Sequence, residues 1–420
     1  MLVFKFGGAS VQDATGIVNL AHIVQAYKHE QLVIVVSAMG KTTNALEAIA
    51  NAFYQHKKEE ALALFTHIKD THNAVAANLL GTQVHTLQLQ LQDVYTEVEW
   101  LLHDEPVRTY AYYYDQIVST GELLSTLLVS AYLTAQQLSN IWVDSRDYII
   151  TNDNYREAAV DMPATTHNLH NLHTLLATHS NVVLQGYIGA TTLNTSTTLG
   201  REGSDYTAAL VANILKAHSL TIWKDVIGVL NADPKQHTNP TLLPHLSYAE
   251  VIEMAYYGAQ VIHPKTIKPL QNAGIPMYVK CFKDATLPGT CINDKPAHNL
   301  PPIIIIKNEQ YLIQCTTKDY SFVGEAPMME LYTIMQSINL KPNLTQMGAI
   351  TISLVLDNIN EKVEMLCSQA ALLFDVTVQK NMQLLTIRHY NQAVMQELTA
   401  NKQFVLQQKT TDTYQALLQL

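Results

Sequence analysis

The run LVIVV at Leu32–Val36 constrains the fold most. Five apolar residues without polar alternation belong to a strand covered on both faces, the habit of parallel sheets packed between helices. Neighbouring stretches supply those layers. Residues 2–6 (LVFKF) read as a short strand closed by Gly7-Gly8. Residues 11–28 then place Val11, Ile17, Leu20, Ala21, Val24 and Tyr27 at helical spacing. A long helical stretch is expected over 44–102, interrupted near 70 and near 81, and another helix from Gly121-Glu122 to about 136. Strands at 141–143, 182–185, 220–224 and 276–281 alternate with helices at 168–178, 206–217, 247–258 and after His263-Pro264. This alternation predicts an α/β domain with a mostly parallel sheet.

At 420 residues the chain exceeds one compact core. Its texture changes near 288, where Pro288-Gly289 and Pro301-Pro302 bracket an expected linker. Beyond it, strands at 303–306, 311–315, 341–345, 349–356, 375–379 and 382–387 surround helices at 325–338 and 360–373. Two helices on one antiparallel sheet is the ferredoxin-like βαββαβ arrangement. A helix over 391–400 and a strand over 403–408 follow. Lys and Arg number 26 against 36 Asp and Glu, a formal charge of −10, which argues against nucleic-acid and anionic-membrane partners. The four cysteines, Cys281, Cys291, Cys315 and Cys367, form no CxxC pair and predict a reducing cytosol without disulfides. No apolar run approaches the ~18 residues of a membrane span. The opening MLVFKFGG lacks the layout of a signal peptide, so a cytoplasmic location is expected.

Two strand-to-helix turns carry candidate chemistry. In Lys5-Phe6-Gly7-Gly8-Ala9-Ser10, glycines just past a strand let backbone amides approach an anion, and Lys5 lies one pleat away. A plain sheet turn with a solvated lysine has the same local pattern. In Gly200–Asp205, Arg201 can fork onto a carboxylate while Ser204 or Asp205 caps the next helix. An acid beside a phosphate-holding loop can orient a lysine or bind through a metal ion, although an ordinary N-cap reads alike. Gly40-Lys41-Thr42 imitates the end of a Walker A loop, but the loop's first glycine would fall at Val35 inside the strand. His167, His170 and His173 are spaced as an exposed helix face, with no Cys or carboxylate beside them to make a metal site.

Six segments, in order along nearly the whole chain, resemble the aspartate kinase family: KFGGAS (5–10), VVSAMGKTTNAL (35–46), STGELLS (119–125), TTLGREGSDYTAAL (197–210), WKDVIGVLNADP (223–234) and GAQVIHPKTI (258–267). The resemblance implies an amino-acid-kinase (carbamate-kinase-like) α/β sandwich over 1–300, with an N-lobe for aspartate and a C-lobe for ATP. It implies an ACT-type regulatory region over 303–420, one ACT unit plus a partial second. The implied reaction transfers the γ-phosphoryl group of ATP to the side-chain carboxylate of L-aspartate. The product, 4-phospho-L-aspartate, opens lysine, threonine and methionine biosynthesis. Mg²⁺ is expected with the tetra-anionic nucleotide.

By position, Lys5 is expected on the transferred phosphate, with Gly7, Gly8 and Ser10 as hydrogen-bond partners and Asp205 orienting the site. Arg201 is expected on the aspartate α-carboxylate and Glu122 on its ammonium. Ser37, Thr43 and Ser204 are similar to the remaining substrate contacts, and Lys224, Asp225, Asp233 and Lys235 fall on the nucleotide loop. Three positions depart from the family pattern. Glu202 replaces a glycine, so its side chain is expected to turn away from the phosphates or repel them. Leu230 stands where many members carry Tyr, and Gln260 where many carry a second lysine, a loss that Lys224 is expected to cover. In the regulatory region, Asn343 lies where lysine-sensing members tend to have Asp. A homodimer and an amino-acid effector, lysine or threonine, are implied. The competing readings are an idle ACT-linked amino-acid sensor and another kinase of the same fold.

Overall fold

The computed structural model describes residues 1–297 and 299–419, which form two compact units. The first comprises Met1–Val229, Leu242–Ile252 and Val261–Ala297. Its strands are β1 (Leu2–Phe6), β2 (Leu32–Val36), β3 (Asn140–Trp142), β4 (Ile150–Thr151), β5 (Asn181–Gln185), β6 (Ile188–Thr191), β7 (Ser196–Thr198), β8 (Leu220–Lys224), β9 (His245–Ser247), β10 (Met277–Cys281) and β11 (Thr290–Asn293). Eight of them form one sheet in the order β3-β5-β2-β1-β8-β10-β11-β9. All its neighbours pair in parallel except β10 and β11. All five residues of β2 are buried, as the unbroken apolar run requires.

Around this sheet lie α1 (Ala14–Ala26), α2 (Thr42–Tyr54), α3 (Lys58–Leu80), α4 (His85–His103), α5 (Tyr110–Val118), α6 (Thr120–Ala135), α7 (Met162–His170), α8 (Leu172–Thr178) and α9 (Gly203–Ile214). The Asp13 carboxylate caps α1 by accepting from the Gly16 N–H. The long helical stretch breaks at Gln55–Lys57, where His56 adopts the left-handed conformation (φ 59°). It does not break near 70, because His72 is buried on α3 and bonded back to the Ile68 carbonyl. A small sheet, β4-β6-β7, was not expected from the Thr-rich 191–200 segment, whose strands are too short to show a period. α5 and α6 together span Tyr110–Ala135, long and apolar enough to cross a membrane, an exception to the reading of the apolar runs. The most apolar window of that span is 83% buried inside the protein, so it serves as core.

The second unit comprises Leu230–Thr241, Glu253–Gln260 and His298–Leu420, so the division does not follow a single cut near 300. Of the two remaining helices before residue 298, α10 (Tyr248–Tyr257) is divided between the units after Ile252, and α11 (Pro264–Ala273) belongs to the first. The C-terminal sheet holds β12 (Ile303–Thr317), β13 (Leu344–Met347), β14 (Thr351–Asp357), β15 (Phe374–Arg388), β16 (Gln403–Lys409) and β17 (Thr413–Gln419), in the order β13-β14-β12-β15-β17-β16. All neighbours are antiparallel. The helices are α12 (Glu325–Ser337), α13 (Asn360–Ala370) and α14 (Gln392–Thr399). Each pair of short strands expected at 303–315 and 375–387 is one long strand. The apparent breaks are a register irregularity after Lys307 and left-handed residues Glu309 and Asn381.

The first unit's core is anchored where β1 meets β8. Phe6 stacks on Trp223 at 6.1 Å, and Phe4 meets the same indole edge-on at 5.7 Å. Trp223 is fully buried, and among the described residues its Nε1 has no hydrogen-bond partner. Trp223→Phe should therefore cost no more than about 1.5 kcal/mol, whereas Trp223→Ala should cost about 3–5 kcal/mol. Urea unfolding followed by far-UV circular dichroism measures both.

Candidate active site

The site forms beyond the carboxyl ends of β1 and β2, the expected place for a ligand in an open parallel sheet. A crevice of about 790 Å³ there is lined by Lys5, Ser37, Thr43, Glu122, Arg201, Ser204 and Asp205, seven of the residues read from the sequence. It is also lined by Tyr114, Tyr187, Glu202 and the 154–157 segment. Lys5 Nζ lies 2.6 Å from Asp205 Oδ1, with both side chains nearly excluded from water. Lys5 is carried by β1, and Asp205 by the first turn of α9. Glu122, in the first turn of α6, accepts a hydrogen bond from Ser204 Oγ at 3.0 Å. The first turns of α6 and α9 thus converge on one space.

Two glycines permit these approaches. A side chain at Gly8 would lie 2.6 Å from the Ala38 carbonyl oxygen, and one at Gly186 would lie 2.4 Å from Ser204 Cβ. Gly8 lets the β1–α1 turn press on the segment after β2, and Gly186 lets α9 seat against the end of β5. Gly7 lies beneath the lysine: a Cβ there would be 3.6 Å from Lys5 Nζ.

Other expected residues lie apart from the crevice lining. Ser10 is buried and donates to the Trp223 carbonyl at 3.4 Å, so its hydroxyl faces the core. Lys224, at the end of β8, donates to the Val261 carbonyl at 2.9 Å, while Asp225 is exposed in the following turn. Asp233 closes its own turn by accepting from the Lys235 N–H at 2.9 Å, on the 230–241 segment of the second unit. The sequence reading missed Tyr114, Tyr187 and the 154–157 segment, which sit in no glycine turn. The tyrosine run at 112–114, just before the GE motif, was the one available signal.

Burial dominates the electrostatics. It pushes the Glu122 carboxyl up to about 8, against the hydrogen bond from Ser204 and the charge of Lys5. Asp205 is just as deep, yet Lys5 and Lys224 together outweigh its burial and hold it below the usual carboxylate range. Of the two outcomes expected for Glu202, turning away or repelling, the first does not occur: the residue lines the crevice beside Asp205. Lys5 and Lys224 draw it in, while burial and the Asp205 charge raise its pKa. Its φ of 57° shows why a glycine suits this position.

A carboxyl raised from 4.5 to about 8 stabilises the folded chain while protonated. That stability is complete below the unfolded value and is lost as pH climbs toward 8. Wild type should therefore lose thermal stability relative to Glu122→Gln between about pH 5 and pH 9. Thermal melts across that range should show a widening gap in Tm; a gap independent of pH would contradict the assignment.

Residues 1–281 match the amino acid kinase family. Lysine-sensitive aspartokinase 3 of Escherichia coli is 30% identical over 361 residues, covering 85% of this chain and 78% of that protein. Chloroplastic aspartokinase 2 of Arabidopsis thaliana is 31% identical over 378 residues, and the match spans 66% of its length. The crystal structure of E. coli aspartokinase III with aspartate and ADP superposes on 100% of this chain and 96% of that one, with a TM-score of 0.83 and 25% identity. The lysine- and aspartate-bound T-state of the same enzyme gives a TM-score of 0.81 at 26% identity over 99% of this chain and 95% of that one. The family match over the first unit, joined to these similarities along the chain, shows that this protein belongs to the amino acid kinase family and, within it, to the aspartokinases.

Proposed function

We infer that this protein is an ATP-dependent aspartate kinase, transferring the γ-phosphoryl group to the side-chain carboxylate of L-aspartate. The observation that carries the reading is the single crevice in which a buried Lys5–Asp205 pair, Glu122 and Arg201 meet. The acceptor is a carboxylate already ionised at neutral pH, so the reaction needs no general base. Its difficulty is to bring two anions in line and to stabilise charge spreading over the moving phosphoryl group.

Each residue has a matching task in this reading. Lys5 holds two N–H donors beyond the one aimed at Asp205 and turns them to the transferring phosphate. Asp205 fixes that ammonium. Arg201 forks onto the α-carboxylate, and Glu122, with Ser204, receives the substrate ammonium. A bound ammonium draws the Glu122 proton off, so aspartate binding tightens as pH rises toward 8. Gly7 and Gly8 open backbone N–H groups to the nucleotide phosphates, and Lys224, Asp225, Asp233 and Lys235 serve the nucleotide. Mg²⁺ arrives with ATP. Among the described residues no three His, Cys, Asp or Glu side chains cluster as a ready-made metal cage. When bound, the ion would offset the negative charge of the nucleotide phosphates.

Residues 1–300 act as the catalytic part and 303–420 as an ACT-type regulatory part that binds an amino-acid effector, lysine or threonine, in a homodimer. In the C-terminal sheet, Lys307 Nζ donates to Asn343 Oδ1 at 2.7 Å and lies 3.3 Å from Asp357. A lysine effector binding at Asn343 must displace that resident ammonium. The free cysteines suit a cytoplasmic setting.

ADP release from ATP and Mg²⁺ should depend on L-aspartate and fail with L-glutamate, acetylglutamate or UMP; equal release with any of these contradicts the reading. Arg201→Ala should lower kcat/KM for aspartate by about 2–4 kcal/mol, and Lys5→Ala should act mainly on kcat. Lys224→Met tests whether Lys224 makes good the missing lysine at Gln260. Its loss should cost about 2.7–4 kcal/mol in turnover, and a change within about threefold removes it from that role.

A further inference from the structure

The 154–157 wall of the crevice carries a second guanidinium, that of Arg156. Arg156 occupies the left-handed region with φ 74°, a conformation that is strained for a residue with a side chain. Strain of this kind persists only where the surroundings over-determine it. Here they do. The buried Asp115 carboxylate accepts from the Arg156 N–H at 2.9 Å, the Thr198 N–H at 2.9 Å and the Thr198 hydroxyl at 2.7 Å. It thereby clasps the 154–157 segment to β7, two residues ahead of Gly200-Arg201. The Ala158 N–H adds a bond to the Thr198 carbonyl at 2.9 Å, and a side chain at Gly200 would lie 3.3 Å from the Arg156 carbonyl. The two arginine-bearing segments are packed against each other.

The guanidinium is held in place but not consumed. It lies over the Tyr114 ring at 4.5 Å and near Tyr110 at 5.6 Å. Its ion pair with Glu47 spans 3.8 Å, beyond the about 2.7–2.9 Å of a charge-assisted hydrogen bond. Among the described residues the side chain makes no hydrogen bond, so its donors remain available on a crevice wall. We propose that Arg156 is a second acceptor-binding arginine, meeting the α-carboxylate of the amino-acid substrate alongside Arg201, and that Asp115 is the positioning residue that holds it there.

This inference rests on the aspartate kinase reading, and steady-state kinetics separate the two. Wild type must show aspartate-dependent ADP release; if it does not, the functional reading fails first. Arg156→Gly relieves the left-handed strain, so lost folding cannot explain its effect. It should raise the aspartate KM about tenfold, with kcat and the ATP KM within twofold. With aspartate α-amide, which keeps the reactive carboxylate but has no α-carboxylate, wild type and Arg156→Gly should have equal KM values. Asp115→Asn should raise the aspartate KM similarly and add little in the double variant. An aspartate KM within twofold of wild type in Arg156→Gly, or an undiminished penalty with the α-amide, overturns the proposal.

Discussion

The buried ion pair between Lys5 and Asp205 is the constraint on which the site's geometry depends. Taking a lone ammonium or carboxylate out of water costs several kcal/mol, so each group requires the other where it stands. The 2.6 Å contact ties β1 to the first turn of α9, elements separated by two hundred residues of sequence. Close packing supplies the precision. The aromatic contacts of Phe4 and Phe6 with Trp223 fix β1 beside β8, and Gly186 lets α9 seat against β5. An ammonium placed by a strand and a helix is a better electrostatic device than one on a loop, because it needs no reorganisation when negative charge develops.

Charge in the crevice is uneven, and the unevenness has chemical content. Asp205 stays ionised because two lysines face it, while Glu122 at similar depth is pushed up to about 8. The two acids have been separated into a permanent anion and a proton carrier by their surroundings. Glu202 adds a third carboxyl beside them, drawn in by the same lysines. A glycine there would relieve both the left-handed backbone and the extra carboxyl beside Asp205. Nothing in the structure explains why this chain keeps a glutamate.

Much of the fold was legible because burial dictates composition. Leu32–Val36 reads as a covered strand and is one, and the strand-to-helix turns at Gly7-Gly8 and Gly200–Gly203 lie beside the crevice. Ordered motifs found the side chains that β1, α6 and α9 bring to the crevice, since those residues sit at fixed offsets from glycines and helix starts. Ser10 shows the limit of that reasoning: its hydroxyl turns to the Trp223 carbonyl, a choice made by tertiary packing. Arg156 shows the other limit. It reaches the crevice through the clasp of Asp115, and no local pattern at residues 152–158 encodes a contact with residues 115 and 198. The long strands β12 and β15 read as pairs because Glu309 and Asn381 take turn-like dihedrals without ending the ladder.

The account's central claim is that the Lys5 ammonium, held by Asp205, faces the phosphoryl group in transit. A crystal structure of the protein with a non-hydrolysable ATP analogue, Mg²⁺ and L-aspartate tests it most directly. The account predicts Lys5 Nζ within about 3 Å of a terminal phosphate oxygen while still paired with Asp205. A Lys5 side chain directed away from every phosphate, with the nucleotide and aspartate bound in register, would contradict it.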